Sequence, residues 1–305
     1  MASKQISINN GFNMLKSPQK FQRISETLSE GQLRQLNPDE QLISAEDLLG
    51  SNAQSSLFFL GFYSQSGLEL AMRRYGVFEA FERLGFENIR LLVDTKDPYR
   101  HRLAIYSHRE DDVEMLLAEL VLRRQETKIK LGGSTAKPFN VLYIEWLTLR
   151  NPNGIFTQKR PKMPGQEFPG LGGGRLTLEL LVIACKRLGL SGIANVPEHF
   201  HNAHLYSRQF SYIDPVAEGK RRAIASDLMP AFSLAEISWG IDLNCVTENG
   251  NPFTWFTQPQ LFPLIDELKS YFETQEYTQQ LFEAQKTYRY VLDTNCLSRK
   301  QQQKR

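Results

Sequence analysis

With 305 residues, 41% of them hydrophobic and 23% charged, the chain is long enough for one large domain or a mid-sized domain with additions, and too apolar for overall disorder. Its 36 Lys and Arg nearly balance 34 Asp and Glu, so no whole-molecule field draws it to nucleic acid or an acidic membrane, and no nucleic-acid partner is expected. Cys185, Cys245 and Cys296 are widely spaced and lack a paired-cysteine spacing, which argues against a disulfide framework and a thiolate zinc site and favours a cytoplasmic location.

Residues 1–55 read as a polar arm punctuated by Asn-Gly, Ser-Pro and Asn-Pro turns, with short helices expected over Ser25–Leu36 and Ser44–Leu49. No apolar run approaches the roughly 20 residues of a membrane span, and the N-terminus lacks the apolar core of a secretory signal. Leu57–Tyr63 is apolar and of either type. From Gly67 to Gly85, apolar residues recur at spacings of three and four, predicting a helix that Gly85 ends.

Ile89–Val93 and His101–Tyr106 predict neighbouring strands. Val113–Arg124 fits a helix through Val113, Leu116, Leu117, Leu120 and Val121, and equally fits a strand face through Leu116, Ala118, Leu120 and Leu122. A Gly/Ser/Thr loop follows, and then Val141–Leu149, β-branched and aromatic, predicts a strand. Gly172, Gly173 and Gly174 lead into a mostly buried helix over Arg175–Leu188, and Ile193–Val196 predicts the next short strand. Beyond Pro215 the pattern predicts helices over Val216–Leu228, Leu234–Trp239 and Gln260 to about Leu292, with a turn at Asn249-Gly250-Asn251-Pro252. The last residues, 299–305, read as a solvated basic tail.

A strand feeding a glycine turn that opens a helix can hold an anion, because the first helical N–H groups lack intrahelical partners and glycine lets the backbone approach closely. The plain alternative is a turn whose glycines only clear a sheet. Downstream, His199, His201 and His204 cluster beside Glu198, and Asn202-Ala203-His204-Leu205-Tyr206 follows the short strand.

The order of these parts resembles the acyl-CoA-dependent N-acyltransferases of the Gcn5-related superfamily, over roughly residues 67–214. In that family a Gln/Arg-x-x-Gly-x-Gly/Ala loop after the fourth strand holds the coenzyme A pyrophosphate, and an Asn-x-x-Ala-x-x-Leu-Tyr helix after the fifth carries a proton-donating tyrosine. Here Gly170-Leu171-Gly172-Gly173-Gly174 stands for the loop and Tyr206 for the tyrosine. Gln166 lies four residues before Gly170 where the pattern has three, about a dozen residues intervene after the strand, and the Asn202–Tyr206 segment is shorter than the family's.

The resemblance implies an α+β fold, a mixed and mainly antiparallel sheet flanked by helices, over residues 56–215, with a helical C-terminal extension over 216–298. It would make Leu116–Arg124 the third strand of a meander. It further implies acyl-CoA as co-substrate, no metal, and a small-molecule or peptide amine as acceptor. Leu147, Leu149, Gly170, Leu171, Gly172, Gly173, Gly174, Arg175 and Asn202 would then hold the coenzyme.

Tyr206 would protonate the leaving thiolate, and Glu145 or His201 would accept the amine proton. The alternative for Glu145 is an outward-facing strand carboxylate, and for Tyr206 a tyrosine packed by its ring. Two other readings compete: a metal-dependent hydrolase built on His199, His201 and His204, and an acyltransferase-like binding protein without turnover. The aromatic stretch Phe253–Phe262 fits a cleft cap, a homodimer contact or plain core.

Overall fold

The computed structural model describes residues 18–38, 57–108, 113–130 and 135–303. They form two compact units that interleave along the sequence: one within residues 1–125, 142–154 and 169–189, the other within 126–141, 155–168 and 190–305. The expected helix over Ser44–Leu49 lies outside the described residues. β3 (Glu114–Ile129) and β4 (Lys137–Leu149) each contribute residues to both units.

In the first unit, β1 (Ile89–Asp94) pairs antiparallel with β2 (His101–His108) from Ile89↔Ser107 to Asp94↔Arg102. β2 pairs antiparallel with β3, with a register shift at Ile105/Tyr106, and β4 follows in the order β1-β2-β3-β4. The segment 113–124 is therefore a strand. Its helical spacing loses because pairing to β2 satisfies its backbone while Leu117, Ala118 and Leu122 are buried.

Helices α1 (Pro18–Thr27), α2 (Glu30–Arg34), α3 (Gln65–Arg74) and α4 (Val77–Glu82) belong to the same unit. One helix was expected over 67–85, but the chain breaks at Gly76, whose φ of 75° is a left-handed conformation that glycine adopts without penalty. Ser29 and Gln32 form a capping box on α2. Ser64 caps α3 by accepting from the Gly67 N–H at 2.9 Å, and its hydroxyl donates to the Gln35 carbonyl at 2.6 Å.

Gly67 meets α2 so closely that a Cβ there would stand 2.1 Å from the Leu33 carbonyl oxygen. We expect Gly67→Ala to push α2 from α3 and cost about 3 kcal/mol, read as a lower urea midpoint. An unchanged midpoint would mean the two helices are not in backbone contact.

In the second unit the strand order is β4-β5-β9-β6, with β5 (Gly192–Asn195), β9 (Gln260–Pro263) and β6 (Ser211–Tyr212). β9 runs antiparallel to both neighbours, pairing Asn195↔Gln260 with β5 and Tyr212↔Gln260 with β6. The expected helix from Gln260 to Leu292 is thus corrected at its start. Residues 260–263 complete a sheet whose open edges only the folded neighbours provide, and Thr274 separates α9 (Asp266–Glu273) from α10 (Gln275–Thr287).

The C-terminal extension is not wholly helical. It also holds β7 (Val246–Glu248), β8 (Asn251–Pro252) and β10 (Tyr290–Leu292), in the order β10-β7-β8. Asn249 and Gly250, with φ of 51° and 81°, make the β7–β8 hairpin turn that the Asn-Gly pair signals.

Around these strands pack α6 (Phe200–Tyr206), α7 (Pro215–Leu228), α8 (Leu234–Asp242) and α11 (Thr294–Gln303). Phe200, Ile224, Ile237, Phe253, Tyr290 and Leu297 share one buried cluster. Residues up to 303 belong to α11, and Lys300 donates to the Leu243 carbonyl at 2.7 Å, so most of the expected loose tail is a docked helix.

Cys245 and Cys296 are joined by a disulfide across 51 residues, contrary to the expectation from spacing. Spacing could not reveal it, since the partners meet only when α11 docks. Cys185 is buried in α5 (Gly174–Arg187), where burial pushes its thiol up to about 12. Among the described residues no helix is long and apolar enough to cross a membrane.

Candidate functional site

The end of β4 and the start of α5 build the glycine turn in the first unit. An isolated bridge pairs Arg150 with Gly170, the Asn151 N–H donates to the Pro169 carbonyl at 2.7 Å, and the Leu171 N–H donates to the Leu149 carbonyl at 3.3 Å. The residues between Asn151 and Pro169 are therefore a side excursion, closed at its base, and the strand in effect runs straight into the turn. Gly172 has φ 76°, and Gly173 is the N-cap of α5 with no side-chain capping bond. The uncapped start leaves helical N–H groups available to an anion, reinforced by the positive end of the helix dipole.

Gly170, Leu171, Gly172, Gly173, Gly174 and Arg175 are thus brought together with Leu147 and Leu149. Arg175 is exposed and its Nε lies 3.0 Å from Glu179 Oε1, one turn along the helix. Gln166 does not join the turn. It sits within the excursion, where its Oε1 accepts from the Met163 N–H at 3.1 Å.

Glu145 is placed differently from a free base. Its Oε2 lies 2.5 Å from Arg100 Nε and its Oε1 3.0 Å from Arg123 Nε, while the Arg123 guanidinium also stands 4.6 Å from the Tyr143 ring centre. Both carboxylate oxygens are engaged by cations, the arrangement of a structural ion group on a strand. Sequence spacing could not pair Glu145 with Arg123 of β3 and Arg100 of the β1–β2 connection.

In the second unit, α6 carries His201, Asn202, His204 and Tyr206. The His201 ring stacks on His199, with centroids 5.3 Å apart and planes at 15°, and His199 Nδ1 lies 3.6 Å from Asp242 Oδ1. A Cβ on Gly165 would fall 2.8 Å from His199 Nε2, so that glycine makes room for the imidazole. Asp242 and Gly165 are partners that the sequence reading missed.

His201 is almost fully buried, and its Nδ1 has no hydrogen-bond partner among the described residues. Burial, with His199 adding to it, pushes the His201 imidazole down to about 4. His201 is neutral at pH 7 and a weak base. Burial also lowers His204, and it raises Tyr206, keeping that hydroxyl protonated. Stacked rings do not converge on one point, and the described residues contain no group of three His, Cys, Asp or Glu placed to hold a metal ion.

One further feature of this unit had no signal in the sequence. Asn195, Gln260 and Tyr212 lie side by side across β5, β9 and β6, and Asn195 Oδ1, both Gln260 side-chain amide atoms and the Tyr212 hydroxyl are buried with no hydrogen-bond partner among the described residues. Each such group costs about 1–3 kcal/mol when left unbonded.

No protein-family model matches the chain, and no curated protein matches it. Among solved structures it is similar to a chain in the crystal structure of the KacTA–DNA complex, with 11% identity, 73% of this chain and 96% of that chain covered, and a TM-score of 0.27.

Proposed function

We propose that this chain is an acyl-CoA-dependent N-acyltransferase whose glycine turn, Gly170–Gly174, holds the coenzyme A pyrophosphate. The observation that carries the reading is the bridge-closed passage from β4 through a positive-φ glycine into an uncapped 14-residue helix. That passage presents backbone N–H groups where a strand–turn–helix phosphate site needs them. In the reaction the acceptor nitrogen attacks the thioester carbonyl, the C–N bond forms, the C–S bond breaks, and amide and free coenzyme A result. The amine proton goes to a base and the thiolate takes a proton from an acid. Tyr206 keeps its proton at neutral pH, as a proton donor must, and His201 is a weaker base than its sequence context implied.

Saturating coenzyme A at about 100 times its dissociation constant should stabilise the folded chain by about 2.7 kcal/mol, seen as a higher melting temperature. Gly172→Val, which forces a β-branched residue into φ 76°, should remove that shift while circular dichroism confirms a folded chain. No shift with any coenzyme A species would refute the reading. Tyr206→Phe should lower kcat at least about tenfold at unchanged coenzyme A affinity, and an equal kcat would strip Tyr206 of its role. Binding without turnover of any amine would leave a non-catalytic acyltransferase-like protein.

A further inference from the structure

The first unit holds a partly open cavity of about 130 Å³ lined by its strands and helices. Strand residues Leu120, Leu122, Leu147 and Leu149 form one wall, and α5 forms another through residues from Leu176 to Arg187. Those eleven steps of helix correspond to about 16 Å at 1.5 Å per residue. A compact cavity of about 150 Å³ lined by Leu, Ile and Phe accepts a benzene ring. The same volume drawn out along three turns of helix suits a single unbranched chain better than a ring.

The walls are nearly all aliphatic or aromatic, and the charged groups among them are held elsewhere. The Arg187 guanidinium donates to the Leu28 carbonyl at 3.1 Å, to the Ser25 carbonyl and to the Ser25 hydroxyl, while Glu119 Oε1 lies 2.5 Å from Arg102 Nε. Nothing in the cavity therefore calls for a charged guest. Its position is the second observation. Leu147 and Leu149 are the last strand residues before the glycine turn, and Leu176 and Thr177 are in the first turn of the helix after it, so one end of the cavity abuts that turn.

We infer that this cavity binds the aliphatic tail of the acyl group, so that the donor is a medium- or long-chain acyl thioester and not acetyl-CoA. The inference rests on the proposed coenzyme A role of the turn for the thioester end, and on the cavity alone for the chain. Each methylene transferred from water to such a wall gains about 0.8 kcal/mol, close to fourfold in affinity. Cavity size, not a polar contact, sets the preferred length.

The test is calorimetric titration of the full chain with coenzyme A, acetyl-, hexanoyl- and decanoyl-CoA, and with decanoic acid alone. Affinity should tighten at least about tenfold from acetyl to hexanoyl, and Ala184→Phe, which fills the cavity from α5, should erase that gain while coenzyme A binding persists. Leu180→Ala, which enlarges the cavity, should move the optimum to longer chains. Equal affinity across the series with coenzyme A still bound overturns the inference and leaves the coenzyme role standing. Decanoic acid binding that Ala184→Phe abolishes, without any coenzyme A binding, supports the cavity and refutes the role of the turn. No binding of decanoic acid or any thioester, together with a lower melting temperature for Ala184→Phe, means that the chain's own residues fill the space, and this also overturns the inference.

Discussion

Reducing the Cys245–Cys296 bond should cost about 4 kcal/mol of stability, the loop-closure entropy of a cross-link spanning 51 residues. The bond ties α11 to the connection between α8 and β7. The Cys245 N–H donates to the Gly240 carbonyl at 2.7 Å, the Cys245 carbonyl accepts from the Asp293 N–H at 2.9 Å, and Leu297 is buried in the adjoining core. A loss of 4 kcal/mol is a large share of the 5–15 kcal/mol typical of a folded protein. The reduced second unit should therefore unfold at clearly lower guanidinium concentration.

Cys296→Ser should reproduce the effect of reductant, and reductant should have no further effect on that variant. Thiol counting is an independent check. With two cysteines joined and Cys185 buried as a protonated thiol, the native protein should react slowly with a thiol reagent, and unfolding without reductant should release a single thiol. Three rapidly titrating thiols, or midpoints equal with and without reductant, would remove the disulfide. Its presence also withdraws the argument for a reducing compartment that cysteine spacing had supplied, since such bonds persist where thiols are oxidised.

Lowering the pH from 6.5 to 4 should destabilise the second unit by up to about 3 kcal/mol through His201. Its imidazole stands near 4 in the folded chain because burial opposes the charged form, and near 6.5 when exposed by unfolding. Between those values the unfolded chain binds more protons than the folded one. Stability is therefore fully present above 6.5 and lost as pH falls toward 4. His204, lowered by burial and by the Arg221 charge, acts in the same direction, and so does His101 in the first unit, lowered by burial.

The measurement is the urea midpoint as a function of pH for the native chain and for His201→Phe, which keeps a flat ring but cannot titrate. The slope between pH 6.5 and 4 should be clearly shallower in the variant, by the share that His201 adds to those of His204 and His101, whatever its absolute stability. An unchanged slope would mean that His201 is protonated as readily folded as unfolded, and its burial would then be wrong.

How far the sequence carried is best seen at individual elements. Runs of β-prone residues placed β1, β2, β4 and β5, and apolar helical spacing placed α5 and α7, within a few residues. The Asn249-Gly250 pair announced its turn through backbone chemistry that needs no tertiary partner. Glycines 172–174 likewise marked the strand–turn–helix before any fold was considered. Segment 113–124 could not be decided locally, since its side chains satisfy both periods and the choice belongs to the strand that pairs with it.

β9 was missed for the same reason. Gln260-Leu261-Phe262-Pro263 has no strand alternation of its own and becomes a strand by lying between β5 and β6. The site divides in the same way. Sequence alone determined the glycine turn, the histidine cluster and Tyr206 as places where chemistry could reside, because those depend on residue type and short spacing. Only the tertiary structure decided that Arg150 and Gly170 close the excursion before the turn, that two arginines occupy Glu145, that Asp242 partners His199, and that leucines from six elements line a cavity. Each of these depends on side chains or backbone groups far apart in sequence meeting at a few ångströms, and no local pattern records such a meeting.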